Sequence, residues 1–299
     1  MRKPEGSTDP AGGGARKAGV LGKPIEHSLS PVLHEAAYRA LALEGWSYQR
    51  IEADAEELPA IVGAFGPEWV GLSVTMPGKR AALELADEIT DRATAVGAAN
   101  TLVRMADRPD GKLRWLADCT DVDGVIGALS TIGDGGTLSG TGVVLGAGGT
   151  AAAAVVALAD LGVTRVRLVV REPARAQETL AAARSAGLDA EAFGLADADL
   201  DGLAEAASVL VSTVPPEATA PHAPALARAG RVLDVIYDPW PTPLAEAVHA
   251  RGGRIATGLD MLLHQAFGQV EHFTGRAAPR VAMRDALREA TGNVVPLPL

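Results

Sequence analysis

The chain has 299 residues, 47% hydrophobic and 21% charged, an ordinary composition for a soluble globular protein and enough chain for two domains. Its formal net charge of −10 creates no overall field that draws phosphate backbones or anionic lipid, which argues against nucleic-acid and membrane partners but not against a small anionic ligand in a local pocket. One cysteine, Cys119, excludes an internal disulfide and fits a reducing cytoplasm.

Residues 1–16 are polar and Gly-rich, lack the apolar core of a signal peptide, and read as a disordered tail. Gly19-Val20-Leu21 reads as a strand, and a helix begins at Pro31 with Ser30 as its N-cap. Ser47–Ile51 and Trp69–Val74 are further strands. Thr101–Met105 and Leu113–Ala117 flank Asp110-Gly111, the pattern of a hairpin. Gly133 to Gly136 reads as a flexible loop.

From there the pattern becomes regular. The apolar run Val143-Val144-Leu145 enters a glycine turn, followed by an Ala-rich helix over Thr150–Leu161 and a second run, Val166–Val170. This is the spacing of a strand–helix–strand unit. A helix over Ala174–Ala186, strands at Val209–Thr213 and Val232–Ile236, and a helix at Leu244–Ala250 continue it. Continuous apolar strands alternating with helices predict a doubly wound, Rossmann-like parallel sheet. Two helices, Met261–Phe273 and Val281–Ala290, close the chain.

The turn Gly146-Ala147-Gly148-Gly149-Thr150-Ala151 has the G-x-G-x-x-A form of a dinucleotide fingerprint. The first glycine permits the tight turn, the second admits a pyrophosphate, and the small last residue lets helix and strand pack closely. The free N–H groups of the following helix suit phosphate. The second strand ends Val170-Arg171-Glu172, with Arg175 one turn on. Two guanidiniums there can hold a 2′-phosphate, which favours NADP over NAD; Glu172 would oppose it if turned inward.

Outside that unit lie polar clusters that packing does not explain. They are His27-Ser28-Leu29-Ser30-Pro31, Ser73-Val74-Thr75-Met76-Pro77-Gly78-Lys79, Gly97-Ala98-Ala99-Asn100-Thr101, Asp118-Cys119-Thr120-Asp121, and Gly258-Leu259-Asp260-Met261-Leu262 with Gln265. In this order, bracketing the glycine turn, the chain resembles the shikimate dehydrogenases over about residues 18–275.

The resemblance implies two α/β domains: a discontinuous substrate-binding domain, residues 17–120 plus 257–299, and a dinucleotide-binding domain, 121–256. It implies NADPH-dependent, reversible reduction of 3-dehydroshikimate to shikimate, in the cytoplasm, by a monomer or homodimer. Lys79 and Asp121 then serve catalysis. Ser28, Ser30, Ser73, Thr75, Asn100, Tyr237 and Gln265 join them in binding substrate. Thr213, Ile236, Gly258 and Met261 join the glycine turn and the two arginines around the cofactor. Met261 packs on the nicotinamide or sits in the core, and Asp121 is compatible with a helix N-cap. The chain departs from the family pattern in having Cys119 where asparagine is usual and Glu172 where a hydroxyl residue is usual. A quinate/shikimate dehydrogenase using NAD and a non-catalytic regulatory paralogue are the rival readings; the latter would be expected to lack Lys79 or Asp121. The six histidines lack metal-ligand spacing, His34 reads as structural, and no metal is expected.

Overall fold

The computed structural model describes residues 15–106, 113–133 and 137–299. The first half runs β1 (Arg16–Gly22), α1 (Ser30–Ala40), β2 (Trp46–Glu52), α2 (Leu58–Gly63), β3 (Trp69–Val74), α3 (Lys79–Leu85), β4 (Glu88–Ile89), α4 (Asp91–Val96), β5 (Thr101–Arg104) and β6 (Trp115–Asp118). These strands form one mixed sheet in the order β2-β1-β3-β5-β6-β4. Strand β5 runs antiparallel to both β3 and β6. Alternation sorts the strand residues between two faces. Ala18 and Val20 pack with Leu33, Leu263 and Phe267, while Leu21 packs with Leu58, Leu72 and Ala82 on the other side.

Helix α5 (Asp121–Thr131) leads into the second half: β7 (Thr141–Leu145), α6 (Gly149–Asp160), β8 (Arg165–Val170), α7 (Gln177–Ser185), β9 (Asp189–Gly194), α8 (Leu200–Ala206), β10 (Ala207–Ser212), α9 (Pro216–Thr219), α10 (Ala223–Leu226), β11 (Arg231–Asp234), α11 (Pro243–Ala250) and β12 (Arg254–Thr257). All six strands are parallel, in the order β12-β11-β10-β7-β8-β9. Counted from β7 this is the 3-2-1-4-5-6 order of a doubly wound dinucleotide fold, with its crevice where β7 and β10 part. Val144, Leu168 and Val211 face α5, α6 and α7; Val143, Val169 and Leu210 face the opposite layer.

The chain then returns to the first sheet through α12 (Gly258–Thr274) and α13 (Arg280–Ala290). Helix α12 starts with a capping box, in which Thr257 accepts from the Asp260 N–H and the Asp260 carboxylate accepts from the Thr257 N–H. It packs on α5, α1, β3 and β5. The α5–α12 crossing is close because Gly124 has no side chain: a Cβ there would stand 2.7 Å from the Met261 carbonyl oxygen.

Several expectations need correction. Arg16, assigned to the tail, opens β1, where its N–H donates to the Gly45 carbonyl. Ser30 is the first residue of α1 rather than its cap; Leu29 holds the cap position, and the Ser28 hydroxyl accepts from the Ser30 N–H at 3.3 Å. Pro173–Ala176 is a 3-10 turn, so the predicted helix over Ala174–Ala186 becomes regular only at Gln177. The strands of the predicted hairpin do pair, but Asp110-Gly111 lies outside the described residues, as do residues 1–14 and 134–136. Among the described residues no helix is long and apolar enough to cross a membrane.

Candidate active site

Strand β3 delivers Thr75 to a turn closed by Gly78 N–H on the Thr75 carbonyl (2.9 Å), and α3 begins directly after it with Lys79. Strand β6 delivers Asp118, and α5 begins three residues later with Asp121. The two starts face each other, and Lys79 Nζ donates to Asp121 Oδ2 at 2.5 Å. Their side chains are 17% and 7% exposed. Burial pulls the Lys79 ammonium down, but the Asp121 charge and hydrogen bond outweigh it and hold the group above its ordinary value. The N-cap reading of Asp121 is wrong: Thr120 holds that position, and the Asp121 carboxylate turns to Lys79 and Asn100 instead of the helix N–H groups.

Asn100 is the hub beside this pair. Its Nδ2 lies within 2.9–3.0 Å of Asp121 Oδ1, Gln265 Oε1 and Thr120 Oγ1, and its Oδ1 accepts from Thr101 Oγ1 and the Thr120 N–H at 2.8 Å. An amide has two protons for those three acceptors. The structure thus gathers Lys79, Asp121, Asn100 and Gln265 into one connected group. Thr75 is half-buried on the loop leading to Lys79. The neighbouring Cys119 thiol is pushed up to about 12, chiefly by burial, so it stays protonated and is no nucleophile.

Other predicted residues stand behind or beside that group. Ser73 is buried and fully used within the protein, accepting from Tyr48 Oη (2.6 Å) and donating to Gln269 Oε1 (2.7 Å). Ser30 is buried in the first turn of α1. The Ser28 carbonyl is gripped by Arg50 at 2.6 and 3.0 Å. Tyr237 is half-buried and packs against the α1–α12 core. His34 is buried, stacked on Tyr48 at 4.0 Å between ring centres, and bonded to Gln269. Sequence reasoning missed Gln269, which also donates to the Asn100 carbonyl and Thr101. Its signal was available: it follows Gln265 by four residues on one helix, hence on the same face.

The glycine turn fits a dinucleotide. Gly146 has φ +105°, and a Cβ on it would lie 2.4 Å from Thr213 Oγ1 at the end of β10. Thr213 Oγ1 itself donates to the Leu145 carbonyl, which holds the β7–β10 parting in shape. Ala147 accepts from Thr179 through its carbonyl at 3.0 Å. No atom lies within 4 Å of a Cβ placed on Gly148, whereas one on Gly149 would stand 3.6 Å from the Lys79 side chain. Backbone access at Gly148 is therefore open, and the next residue lies beside the Lys79 stem. Gly148 caps α6 without a side-chain bond, leaving first-turn N–H groups for an anion. Thr150 is half-buried and Ala151 fully buried in the first turn of α6, the small residue the close packing needs. Met261 shares the buried cluster of Ala98, Val122 and Ala151, and Ile236 follows β11 with its N–H on Asp234 Oδ1. Gly258 opens α12 against the Val235 carbonyl. Arg171 is exposed at the end of β8, while Arg175 is tied to Glu172 at 2.9 Å, so Glu172 turns toward Arg175. Among the described residues no group of three or more His, Cys, Asp or Glu side chains could hold a metal ion.

Comparison with known proteins identifies the family. Residues 20–102 match the shikimate dehydrogenase substrate binding domain, and residues 258–288 match the shikimate 5′-dehydrogenase C-terminal domain. The chain is 34% identical over 281 residues to the shikimate dehydrogenase (NADP(+)) of Shouchella clausii, covering 91% of this chain and 98% of that one. It superposes on the crystal structure of Mycobacterium tuberculosis shikimate dehydrogenase with a TM-score of 0.84 at 55% identity, covering 92% and 99% of the two chains. The Thermus thermophilus shikimate 5-dehydrogenase, solved with NADP(H) and shikimate, gives 0.76 at 32% identity over 92% and 99%. With its two-domain α/β fold and nearly full-length likeness to these relatives, the chain belongs to the shikimate dehydrogenase family.

Proposed function

We propose that this protein is an NADP-dependent shikimate dehydrogenase, catalysing the reversible reduction of 3-dehydroshikimate to shikimate in aromatic amino-acid biosynthesis. The observation that carries the reading is the Lys79–Asp121 pair at 2.5 Å, with the Lys79 stem packed beside Gly149 of the glycine turn. Bound NADPH supplies the hydride. The turn from Gly146 to Ala151 and the α6 N-terminus would hold its pyrophosphate, and Arg171 its 2′-phosphate. The substrate-binding domain comprises residues 17–120, extended to Arg16 by β1, plus 257–299, and the dinucleotide-binding domain residues 121–256. The single cysteine, buried and protonated, is compatible with a cytoplasmic protein.

As negative charge grows on the substrate keto oxygen, the Lys79 ammonium offsets it and donates a proton. Asp121 supports the charged ammonium and fixes its direction; because the two titrate together, the proton belongs to the pair. In the reverse direction the pair, one proton short as amine and carboxylate, accepts the hydroxyl proton. Thr75, Asn100, Asp121 and Gln265 bind the ring oxygens, and Ser28, Ser30 and Tyr237 receive the carboxylate. Ser73 acts from behind, through Tyr48 and Gln269. A substrate analogue missing one hydroxyl leaves a buried partner unpaired, and such a site rejects it strongly.

The test is turnover of shikimate and of quinate with NADP and with NAD, followed by the absorbance of the reduced nicotinamide. Shikimate with NADP should give the highest kcat/KM of the four combinations. Preference for quinate or for NAD would refute the assignment, and binding of dinucleotide without turnover would identify a regulatory paralogue.

A further inference from the structure

A second charged cluster lies on the turn that delivers Asp121. Asp118, whose side chain is 2% exposed, ends β6 and receives five hydrogen bonds. Thr90 Oγ1 (2.7 Å), Arg92 Nε (2.6 Å) and the Cys119 N–H (2.8 Å) reach Oδ1, while Arg92 Nη2 and His272 Nε2 reach Oδ2, the latter at 2.7 Å. Burial works against the Asp118 charge, but the His272 and Arg92 bonds hold its carboxyl well below the usual carboxylate range. The remaining arm of Arg92, Nη1, donates to Asp123 Oδ2 at 2.6 Å.

Arg92 therefore grips both sides of a short turn. Its fork holds Asp118 before Asp121, and its third nitrogen holds Asp123 two residues after it. His272 adds an anchor from α12 and Thr90 one from the α4 cap, so β6, α4 and α12 meet on one carboxylate. A buried ion pair contributes little net stability relative to an apolar replacement, and its best-attested use is to fix one arrangement of the groups it joins. None of these groups bonds to Lys79 or Asn100 in the site itself.

We infer that Arg92 is a positioning residue: by stapling Asp118 to Asp123 it fixes the first turn of α5 and thereby aims the Asp121 carboxylate at Lys79. The inference rests on the proposed roles of Lys79 and Asp121. A small displacement of a reacting group, on the order of 1 Å, can cost about a hundredfold in rate.

The experiment compares Arg92→Ala, Arg92→Lys, Asp123→Asn and the Arg92→Ala/Asp123→Asn pair with the unaltered full-length chain. Turnover is expressed per NADP-binding site, measured by titration of cofactor fluorescence, so that misfolded molecules are not counted. Arg92→Ala should lower kcat by about 10- to 100-fold with the NADP Kd within about twofold, since Asp121 is displaced and the glycine turn is not. Arg92→Lys and Asp123→Asn should each lose less. The double variant should be no worse than Arg92→Ala by more than about twofold, because both changes break one device. Ordinary turnover per binding site in Arg92→Ala, or multiplicative losses in the pair, overturns the inference. If Arg92→Ala yields no binding-competent protein, the other two single variants decide, and unchanged kcat in both overturns it. Lys79→Ala keeps the two readings apart: its near-normal turnover would sink the reacting pair, whereas its loss beside an active Arg92→Ala would sink this inference only.

Discussion

The side chain of Lys79 passes 3.6 Å from the point where a Cβ on Gly149 would stand, so the ammonium stem of one domain abuts the cofactor turn of the other. Lys79 is carried by the first sheet and Gly149 by the second, and each is the first residue of its helix. The reaction proposed here needs a hydride donor at the carbon and a proton donor at the oxygen of one carbonyl, and this is where the two halves approach.

The first prediction concerns that ammonium. Lys79→Ala removes both the proton donor and the positive charge facing the keto oxygen, so kcat should fall by roughly 10²- to 10⁴-fold. The KM for shikimate should change far less, because Asn100, Gln265 and Thr75 remain. Steady-state kinetics check this; a large KM rise at unchanged kcat would make Lys79 a binding group only.

The second separates fold from ligand at the turn. A Cβ on Gly148 meets nothing within 4 Å, and the residue has extended backbone, φ −90° and ψ −172°. Gly148→Ala should therefore leave stability within about 0.5 kcal/mol. The new methyl occupies space needed for the pyrophosphate to approach the backbone, so NADP affinity should fall by about tenfold or more, or ~1.4 kcal/mol. Calorimetric binding and a denaturant curve on the same sample check both halves. Unchanged affinity would move the cofactor off this turn.

Glu172 offers a third. It holds Arg175 at 2.9 Å, on a surface where both side chains are well exposed. Such a pair is weak, worth about 0–1 kcal/mol, but it directs the arginine away from an incoming phosphate. Glu172→Thr should free Arg175, remove a like charge, and raise the NADP-over-NAD preference by a fewfold. The ratio of the two dissociation constants tests it, and a ratio that stays put or drops is the contrary result.

A fourth concerns acid stability. His34 is buried among Tyr48, Phe273 and Gln269, and burial lowers its pKa from 6.5 to about 3, partly opposed by the Gln269 bond. Below 6.5 the unfolded chain binds a proton that the folded chain does not. Stability is therefore unaffected above that value and is lost as pH falls from 6.5 toward 3, with a slope approaching ~1.4 kcal/mol per pH unit. Denaturant midpoints at several pH values, for the natural chain and for His34→Phe, should show this slope disappear in the variant. Equal slopes in both would remove His34 as its source.

Much of this was legible in the chain itself. The parallel second sheet could be read because strands buried on both faces are continuous apolar runs, as in Val143–Leu145, Val209–Val211 and Val232–Leu233. The glycine turn could be read because its pattern lies in adjacent residues, with positive φ at Gly146 and the small buried Ala151 five positions on. The short helices and the weakly apolar β9 and β12 left too faint a period to be anticipated.

What only the tertiary structure decided is which polar groups meet. Lys79 and Asp121 are 42 residues apart, and Asn100 and Gln265 165 apart. No period or propensity relates them; helix starts on different strands of a twisted sheet do. The same holds for Arg92, whose partners Asp118 and Asp123 lie 26 and 31 residues along the chain. Local chemistry is written in adjacent residues, whereas distances between remote side chains are set by how the sheets and helices pack.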